Sequence, residues 1–198
     1  VPVWIKLTSV DTPGHGSSPR SSSSVSRIVK ALNIIWENPF PARIIPEVET
    51  VFRERAAGLD EPWSSQYRDI KNSIKDPEFL RRLQEYSASS HALTRDTCSL
   101  TRIKGSSKIN VVPPEASAEV DCRMLPDRST EEFLKDFTNL IQNTGVKTEL
   151  IMSAVPAISS TNSELYQAIE EFSKEYYPGS RVSPSVSTGF TDSRFTRG

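Results

Sequence analysis

Histidine is the first residue type in this sequence whose chemistry suggests a functional site. His15 stands between Gly14 and Gly16 in a loop rich in Pro, Gly and Ser, where a side chain can reach a ligand without steric hindrance. This placement fits either a surface turn or a functional site. His91, in a polar loop before a predicted strand, is expected to be incidental. The two histidines have no HxxxH or HxH spacing, so the sequence predicts no self-contained metal site.

Asn110 and Arg123 are a second pair of polar side chains that could bind a ligand. Asn110 precedes the extended segment Val111-Val112-Pro113, and Arg123 lies near the end of a predicted strand. A guanidinium there could hold a carboxylate through two parallel hydrogen bonds. The alternative, which residue types alone favour, is that Arg123 pairs with Asp121 or Asp127 and that Asn110 shapes a turn.

The chain has two cysteines, Cys98 and Cys122, which excludes a disulfide scaffold and a four-thiolate zinc site. They could face each other across a hairpin centred near Asn110, but only favourable geometry permits a disulfide. We expect two reduced, half-buried thiols.

Composition excludes several classes of protein. The 198 residues include 24 Lys and Arg against 25 Asp and Glu, with the two signs interspersed, which argues against nucleic-acid and anionic-membrane partners. The longest apolar stretches, such as residues 31–36, are too short to span a bilayer. The chain begins at Val1 with no visible targeting segment, so no localisation is assigned and we expect a fragment of a longer protein.

Hydrophobic periodicity indicates the elements that must position these side chains. Period-two alternation and apolar runs predict strands over residues 3–10, 95–104, 116–125 and 146–152. An amphipathic helix follows the serine run, whose residues supply its N-cap, and ends before Pro39. A second helix begins at a capping box formed by Ser129 and Glu132.

The order strand, helix, strand, strand, helix, strand predicts an α+β fold of the split βαβ (ferredoxin-like) type. It is a four-stranded antiparallel sheet with two helices on one face, and its other face is expected to dock onto another surface. The proline-rich segment of about residues 40–90 is expected to be a helical insertion without a separate core. A C-terminal helix–strand segment follows, with a capping box at Thr161 and Glu164 and a strand over residues 182–186.

Four short segments together resemble a known enzyme family. They occur in order at residues 13–17 (PGHGS), 108–113 (KINVVP), 120–126 (VDCRMLP) and 189–195 (GFTDSRF). The series resembles the zinc-dependent exopeptidases and amidohydrolases that include aminoacylase, carboxypeptidase S, carboxypeptidase G and succinyl-diaminopimelate desuccinylase. The resemblance covers nearly the whole chain, including the helical insertion.

The resemblance implies a division into two parts. Residues 1–153 resemble the lid, or dimerisation, domain of that family, and residues 154–198 resemble the re-entry of the chain into the catalytic domain. The family's metal ligands and catalytic glutamate match no segment of this chain. We therefore expect no metal ligand here, two zinc ions in the full-length parent, and no hydrolysis by this chain alone.

The resemblance also assigns roles to individual residues. His15 would reach into the active site of the partner subunit of a homodimer and stabilise the oxyanion formed during amide hydrolysis. Asn110 and Arg123 would hold the carboxylate of a peptide or N-acyl amino acid substrate.

The fourth segment carries Thr191, Asp192 and Arg194 in a polar turn. Residue types alone fit a structural turn and a site equally, and the resemblance adds these residues to the expected substrate-binding set.

Two functions of different classes fit the sequence. The first is the lid portion of a zinc exopeptidase or N-acyl amino acid amidohydrolase, with lid closure completing the site. The second is a non-catalytic interaction or dimerisation module with the same fold. The presence of His15, Asn110 and Arg123 together favours the enzyme, because a pure association module has no need of three such polar groups.

Overall fold

A computed structural model describes residues 1–189 and 192–195 of the chain. Six strands are present in this part: β1 (Pro2–Val10), β2 (Gly14–His15), β3 (Thr97–Lys104), β4 (Val111–Val112), β5 (Glu115–Arg123) and β6 (Lys147–Ser153). The α-helices of the same part are α1 (Ser24–Glu37), α2 (Pro46–Ala56), α3 (Trp63–Arg68), α4 (Ile70–Ser73), α5 (Pro77–Tyr86), α6 (Ala88–Ala92), α7 (Thr130–Ile141) and α8 (Glu164–Tyr176). The chain divides into two compact units, one of Val1–Phe40 with Asp96–Val155 and one of Pro41–Arg95 with the segment from Pro156.

The first unit is built on a four-stranded sheet in the order β3-β5-β1-β6, in which every neighbouring pair is antiparallel. The buried side chains alternate along β1 and β5, as half-buried strands require. They form one core with the inner faces of α1 and α7, which include Ile28, Leu32, Phe133 and Phe137. The split βαβ fold predicted from the sequence is therefore confirmed.

Capping residues begin the two helices that cover the sheet. Ser23 caps α1 in a reciprocal box with Ser26, and Ser129 caps α7 in the predicted box with Glu132. The predicted N-cap in the serine run and the predicted capping box of α7 are both confirmed.

The helical insertion forms α2 to α6 and buries side chains of its own. Phe52 packs edge-on against Tyr67 with ring centroids 4.7 Å apart, and Trp63 stacks on Tyr86 at 4.3 Å. Further residues buried in the insertion are Val48, Val51, Ile70, Phe79, Leu83 and Leu93. The expectation that this segment lacks a separate core is wrong, because its short helices present apolar side chains to one another.

The C-terminal segment contains the predicted helix, α8, but two details differ from the prediction. The N-cap is Ser163, whose side chain accepts from the Tyr166 N–H, and not the expected pair Thr161 and Glu164. The strand expected over residues 182–186 is wrong, because this stretch has no regular structure. Pro184 lies at its centre and has no N–H to donate to a neighbouring strand.

The two cysteines form a disulfide, so the expectation of free thiols is wrong. Cys98 on β3 lies directly opposite Cys122 on β5, with the Cα atoms 4.0 Å apart and the sulfurs bonded at 2.06 Å. The pairing depends on the strand register, which shifts between Leu100 and Arg102. The bond therefore ties an edge strand of the sheet to its neighbour.

Replacing both Cys98 and Cys122 with Ala is expected to lower the free energy of unfolding by about 3 kcal/mol, since the bond closes a loop with a sequence separation of 24. Urea unfolding of the oxidised protein and of the double variant measures the difference. The reductant control should destabilise the parent chain and leave the variant unchanged. Two titratable thiols in the unreduced, unfolded protein would contradict the disulfide.

Candidate functional site

A short two-stranded ribbon, β2 with β4, brings His15 next to Asn110. Gly14 pairs with Val112 and His15 with Val111, and the Gly16 N–H donates to the Asn110 carbonyl oxygen at 2.8 Å. The ribbon thus joins two of the predicted site residues across 95 positions of sequence.

The imidazole of His15 is oriented by contacts to both of its nitrogens. The Ser17 N–H donates to Nδ1 at 3.2 Å, and the Ser17 hydroxyl lies 2.7 Å from the same atom. When Nδ1 accepts the Ser17 N–H, the neutral ring carries its proton on Nε2. Nε2 lies 3.3 Å from the Asn110 Nδ2.

With the proton on Nε2, the surface carries two adjacent hydrogen-bond donors. In that tautomer Nε2–H of His15 and the Asn110 side-chain NH₂ are both donors and do not satisfy each other, whereas in the tautomer with the proton on Nδ1 the Asn110 NH₂ donates to Nε2. Both side chains are exposed, as is the neighbouring Ile109. The pair is therefore suited to donate to the oxygen atoms of a ligand that arrives from outside this chain.

The ribbon grows directly out of the sheet. The Asp11 N–H donates to the Pro114 carbonyl oxygen at 2.8 Å, which extends the β1–β5 ladder toward the ribbon. The buried Ser24 hydroxyl donates to the Pro113 carbonyl oxygen at 2.7 Å and so ties the start of α1 to the same segment. The tip of the ribbon, which carries His15 and Asn110, is therefore exposed, while its base is held by these two hydrogen bonds.

Arg123 lies at the other end of the sheet. Eight residue steps of β5, about 26 Å, separate Glu115 at the ribbon end from Arg123. Arg123 donates from Nε and Nη2 to the two carboxylate oxygens of Asp121, at 2.7 and 2.8 Å. This is one of the pairings that residue types alone favoured, and a single chain does not bring Arg123 to His15 and Asn110.

The fourth predicted segment is only partly described. Thr191 lies outside the described residues. Asp192 is exposed and begins a 3₁₀ turn, Asp192–Phe195, that also contains Arg194. The prediction that these residues bind substrate stays a prediction.

His91 belongs to the insertion and not to the ribbon. Burial, and secondly the charge of Arg95, lowers the pKa of His91 and so favours the neutral ring. Its expected incidental role stays a prediction.

Sequence reasoning missed Ser17, whose hydroxyl and N–H both contact Nδ1 of His15. A serine two residues after a loop histidine is the signal that could have found it, because such a hydroxyl and N–H lie within reach of Nδ1.

The described part of the chain, residues 1–189 and 192–195, has no cluster of metal-ligating side chains. No group of three or more His, Cys, Asp or Glu there could hold a metal ion. The same residues contain no helix that is long and apolar enough to cross a membrane.

Two curated proteins show what the chain resembles along nearly its full length. It is 31% identical, over 97% of its residues, to the N-fatty-acyl-amino acid synthase/hydrolase PM20D1 of Xenopus tropicalis, of which it covers 38%. It is 27% identical, over 96% of its residues, to "Probable carboxypeptidase S-like 2" of Dictyostelium discoideum, of which it covers 36%. The chain therefore spans less than two fifths of the length of these relatives.

Solved structures of two peptidases share the fold. The dipeptidase Dug1p of Saccharomyces cerevisiae matches 98% of the chain with a TM-score of 0.58 and 15% identity, and 44% of that protein is covered. The M20 family metallo-carboxypeptidase Sso-CP2 of Sulfolobus solfataricus matches 96% of the chain with a TM-score of 0.55 and 20% identity, and 52% of that protein is covered.

The family match covers the sheet unit and the insertion together. The peptidase dimerisation domain matches residues 3–149, from the second residue of β1 into β6. That range is well over half of the chain and contains the ribbon, the disulfide and Arg123. The chain belongs to the M20 peptidase dimerisation domain family.

Proposed function

We propose that this chain is the lid and dimerisation portion of a zinc-dependent exopeptidase or N-acyl amino acid amidohydrolase, and that His15 is its catalytic residue. The observation that carries the proposal is the exposed pair of donors, His15 Nε2 and Asn110 Nδ2, held 3.3 Å apart at the end of the ribbon. These donors are held in place by the ribbon but bind no group of the protein core. A lid can contribute such donors to an active site whose other residues belong to another domain or subunit.

The chemistry of this pair suits amide hydrolysis beside a carboxylate. When a nucleophile adds to an amide carbonyl, its oxygen becomes anionic, and a donor aimed at that oxygen stabilises the transition state. His15 Nε2–H fills that role in the proposal, and the Asn110 amide donates to the nearby substrate carboxylate. The names of the two relatives, an N-fatty-acyl-amino acid synthase/hydrolase and a probable carboxypeptidase S-like protein, support such a substrate.

Arg123 takes part from a different subunit in this proposal. It lies about 26 Å along β5 from the ribbon end, so one chain cannot supply both Arg123 and Asn110 to one carboxylate. Two chains can, if His15 and Asn110 of one subunit enter the site of the other. Arg123 then exchanges Asp121 for the substrate carboxylate, which is feasible because 29% of its side chain is exposed.

The homodimer is proposed to form through β3 and α1. β3 is an edge strand, and its Ile103 is 64% exposed. Gly105, just after β3, lies beside Val25 of α1, and α1 exposes Val29 and Trp36 at 57% and 73%. The other edge strand, β6, also exposes two apolar side chains, Leu150 and Ile151, but α7 exposes the charged residues Glu131, Lys135 and Asp136. An apolar edge supports dimerisation better than a charged one.

The catalytic domain is proposed to begin after residue 153 and to supply the two zinc ions and their ligands from outside this chain. The apolar stripe of α8 supports this division, because Leu165, Ile169, Phe172 and Tyr176 are all exposed. Such a face is typical of a helix that packs against more protein.

Metal content and hydrolysis test the proposal directly. We expect the full-length protein to bind about two zinc ions per subunit and to hydrolyse N-acyl amino acids or short peptides, which elemental analysis and an amidase assay measure. The 198-residue chain alone should do neither, because its described residues hold no metal-binding group. A full-length protein without metal and without hydrolysis would contradict the enzyme and favour the non-catalytic dimerisation module.

A further inference from the structure

We propose that Asp11 is a positioning residue that holds the His15–Asn110 pair in place from the base of the ribbon. The catalytic consequence rests on the function proposed above. The positioning role itself follows from the contacts that the Asp11 carboxylate makes with three neighbouring groups.

The Asp11 carboxylate connects three parts of the chain. Oδ2 accepts from Arg27 Nη2 of α1 at 2.5 Å, and Oδ1 accepts from the Thr12 N–H at 2.7 Å. Arg20 Nη1, from the far end of the same loop, lies 3.9 Å from Oδ1. One side chain therefore ties the end of β1 to α1 and to both ends of the loop that carries His15.

The two arginines carry this constraint to the ribbon itself. Arg27 is held by the Ser22 hydroxyl at 2.9 Å and by the Val10 carbonyl oxygen at 3.3 Å. Arg20 donates to the Thr12 carbonyl oxygen, and its guanidinium lies 3.4 Å from where a Cβ on Gly14 would be. The ribbon residue next to His15 thus packs directly on a side chain that the Asp11 charge attracts.

Burial separates this arrangement from an ordinary surface ion pair. The side chains of Asp11 and Arg27 are 17% and 29% exposed, while His15 and Asn110 are exposed at the tip. When Asp11 becomes an amide its negative charge is lost, and the partly buried Arg27 is left without its charged partner. The base then shifts, and a shift of about 1 Å at the donors is enough to lower a rate by about 10²-fold.

Asp11→Asn in the full-length protein tests the inference. We expect kcat to fall about 10-fold with KM within about twofold, because the donors move but the substrate still binds. Hydrogen exchange of peptides that span residues 13–18 should accelerate, since the Gly16 N–H bond to Asn110 loosens. Asp11→Glu keeps the charge and should restore most of the activity.

Glu119→Gln is the matched control. It removes another carboxylate from an arginine pair in the same sheet, Arg102 to Glu119 at 2.6 Å, without touching the ribbon. It should change neither kcat nor the exchange of residues 13–18. If Asp11→Asn does not fold, Arg27→Gln breaks the same pair from the helix side and is judged by the same measurements.

The outcomes separate this inference from the proposed function. If His15→Ala lowers kcat but Asp11→Asn alters neither kcat nor the exchange of residues 13–18, the positioning role is overturned. If Asp11→Asn accelerates that exchange while His15→Ala leaves kcat unchanged, Asp11 positions the ribbon as proposed and the proposed function is what fails.

Discussion

Replacing His15 with Ala in the full-length protein is expected to lower kcat by about 10²–10³-fold and to leave KM within about twofold. The size follows from the loss of one oriented donor to a developing oxyanion, which costs about 3–4 kcal/mol of transition-state stabilisation. KM changes little because the donor is strongest toward the charge that appears only in the transition state. Steady-state kinetics with an N-acyl amino acid substrate measure both constants.

Three further variants sharpen this test. Ile109→Ala changes the fully exposed neighbour of Asn110 and should leave kcat unchanged. His15→Gln keeps an N–H donor and should recover part of the loss. Ser17→Ala should have a smaller effect than His15→Ala, because the Ser17 backbone N–H still donates to Nδ1. A kcat unchanged by His15→Ala would refute the oxyanion role.

Local patterns along the chain were sufficient to predict most of the sheet unit. Alternation along β1 and β5 is a two-residue repeat that follows from one buried face, so the strands could be located to within about two residues. The capping box of α7 is equally local, since Ser129 and Glu132 satisfy each other's backbone groups. These features depend on residues that are near neighbours in sequence.

Features that depend on register or on distant partners could not be predicted in the same way. The disulfide requires Cys98 to lie opposite Cys122, and a register shift near Leu100 decides that alignment. The contact of His15 with Asn110 depends on a ribbon between segments far apart in sequence. The strand expected over residues 182–186 failed for the converse reason, because an apolar pattern does not supply a pairing partner.

Residue types and the family resemblance identify the candidate site residues, whereas only the fold shows how these residues are arranged. Residue types identified His15, Asn110 and Arg123 as candidates, and the structure separates Arg123 from the other two by the length of β5. Charge pairing within one strand, Asp121 with Arg123, is a local feature that residue types did favour. Assigning a shared site to all three residues therefore requires a second chain.

Replacing Ile103 with Glu is the sharpest test of that second chain. In a two-fold dimer each residue of the paired edge strand occurs twice in the interface, so one substitution buries two carboxylates there without charged partners. Ile103 is 64% exposed in the single chain, so the variant should fold as the parent does. We expect the full-length protein to become monomeric by sedimentation equilibrium.

Leu150→Glu is the matched control, because it places the same charge on the opposite edge strand, β6, at a side chain that is 41% exposed. It should leave the dimer intact. A dimer that survives Ile103→Glu, or one that dissociates only with Leu150→Glu, would show that the proposed edge is wrong.

Kinetic measurements on the same variants test whether the active site depends on the dimer interface. If His15 acts in the active site of the partner subunit, the monomeric Ile103→Glu variant should lose about as much kcat as His15→Ala, about 10²–10³-fold. Adding His15→Ala to the monomeric variant should cost almost nothing more, because the donor is already absent from every site. Independent effects would instead multiply, and the double variant would be about 10⁴–10⁶-fold slower than the parent. Non-additivity of the two substitutions therefore distinguishes a shared site between subunits from a dimer that only stabilises the fold.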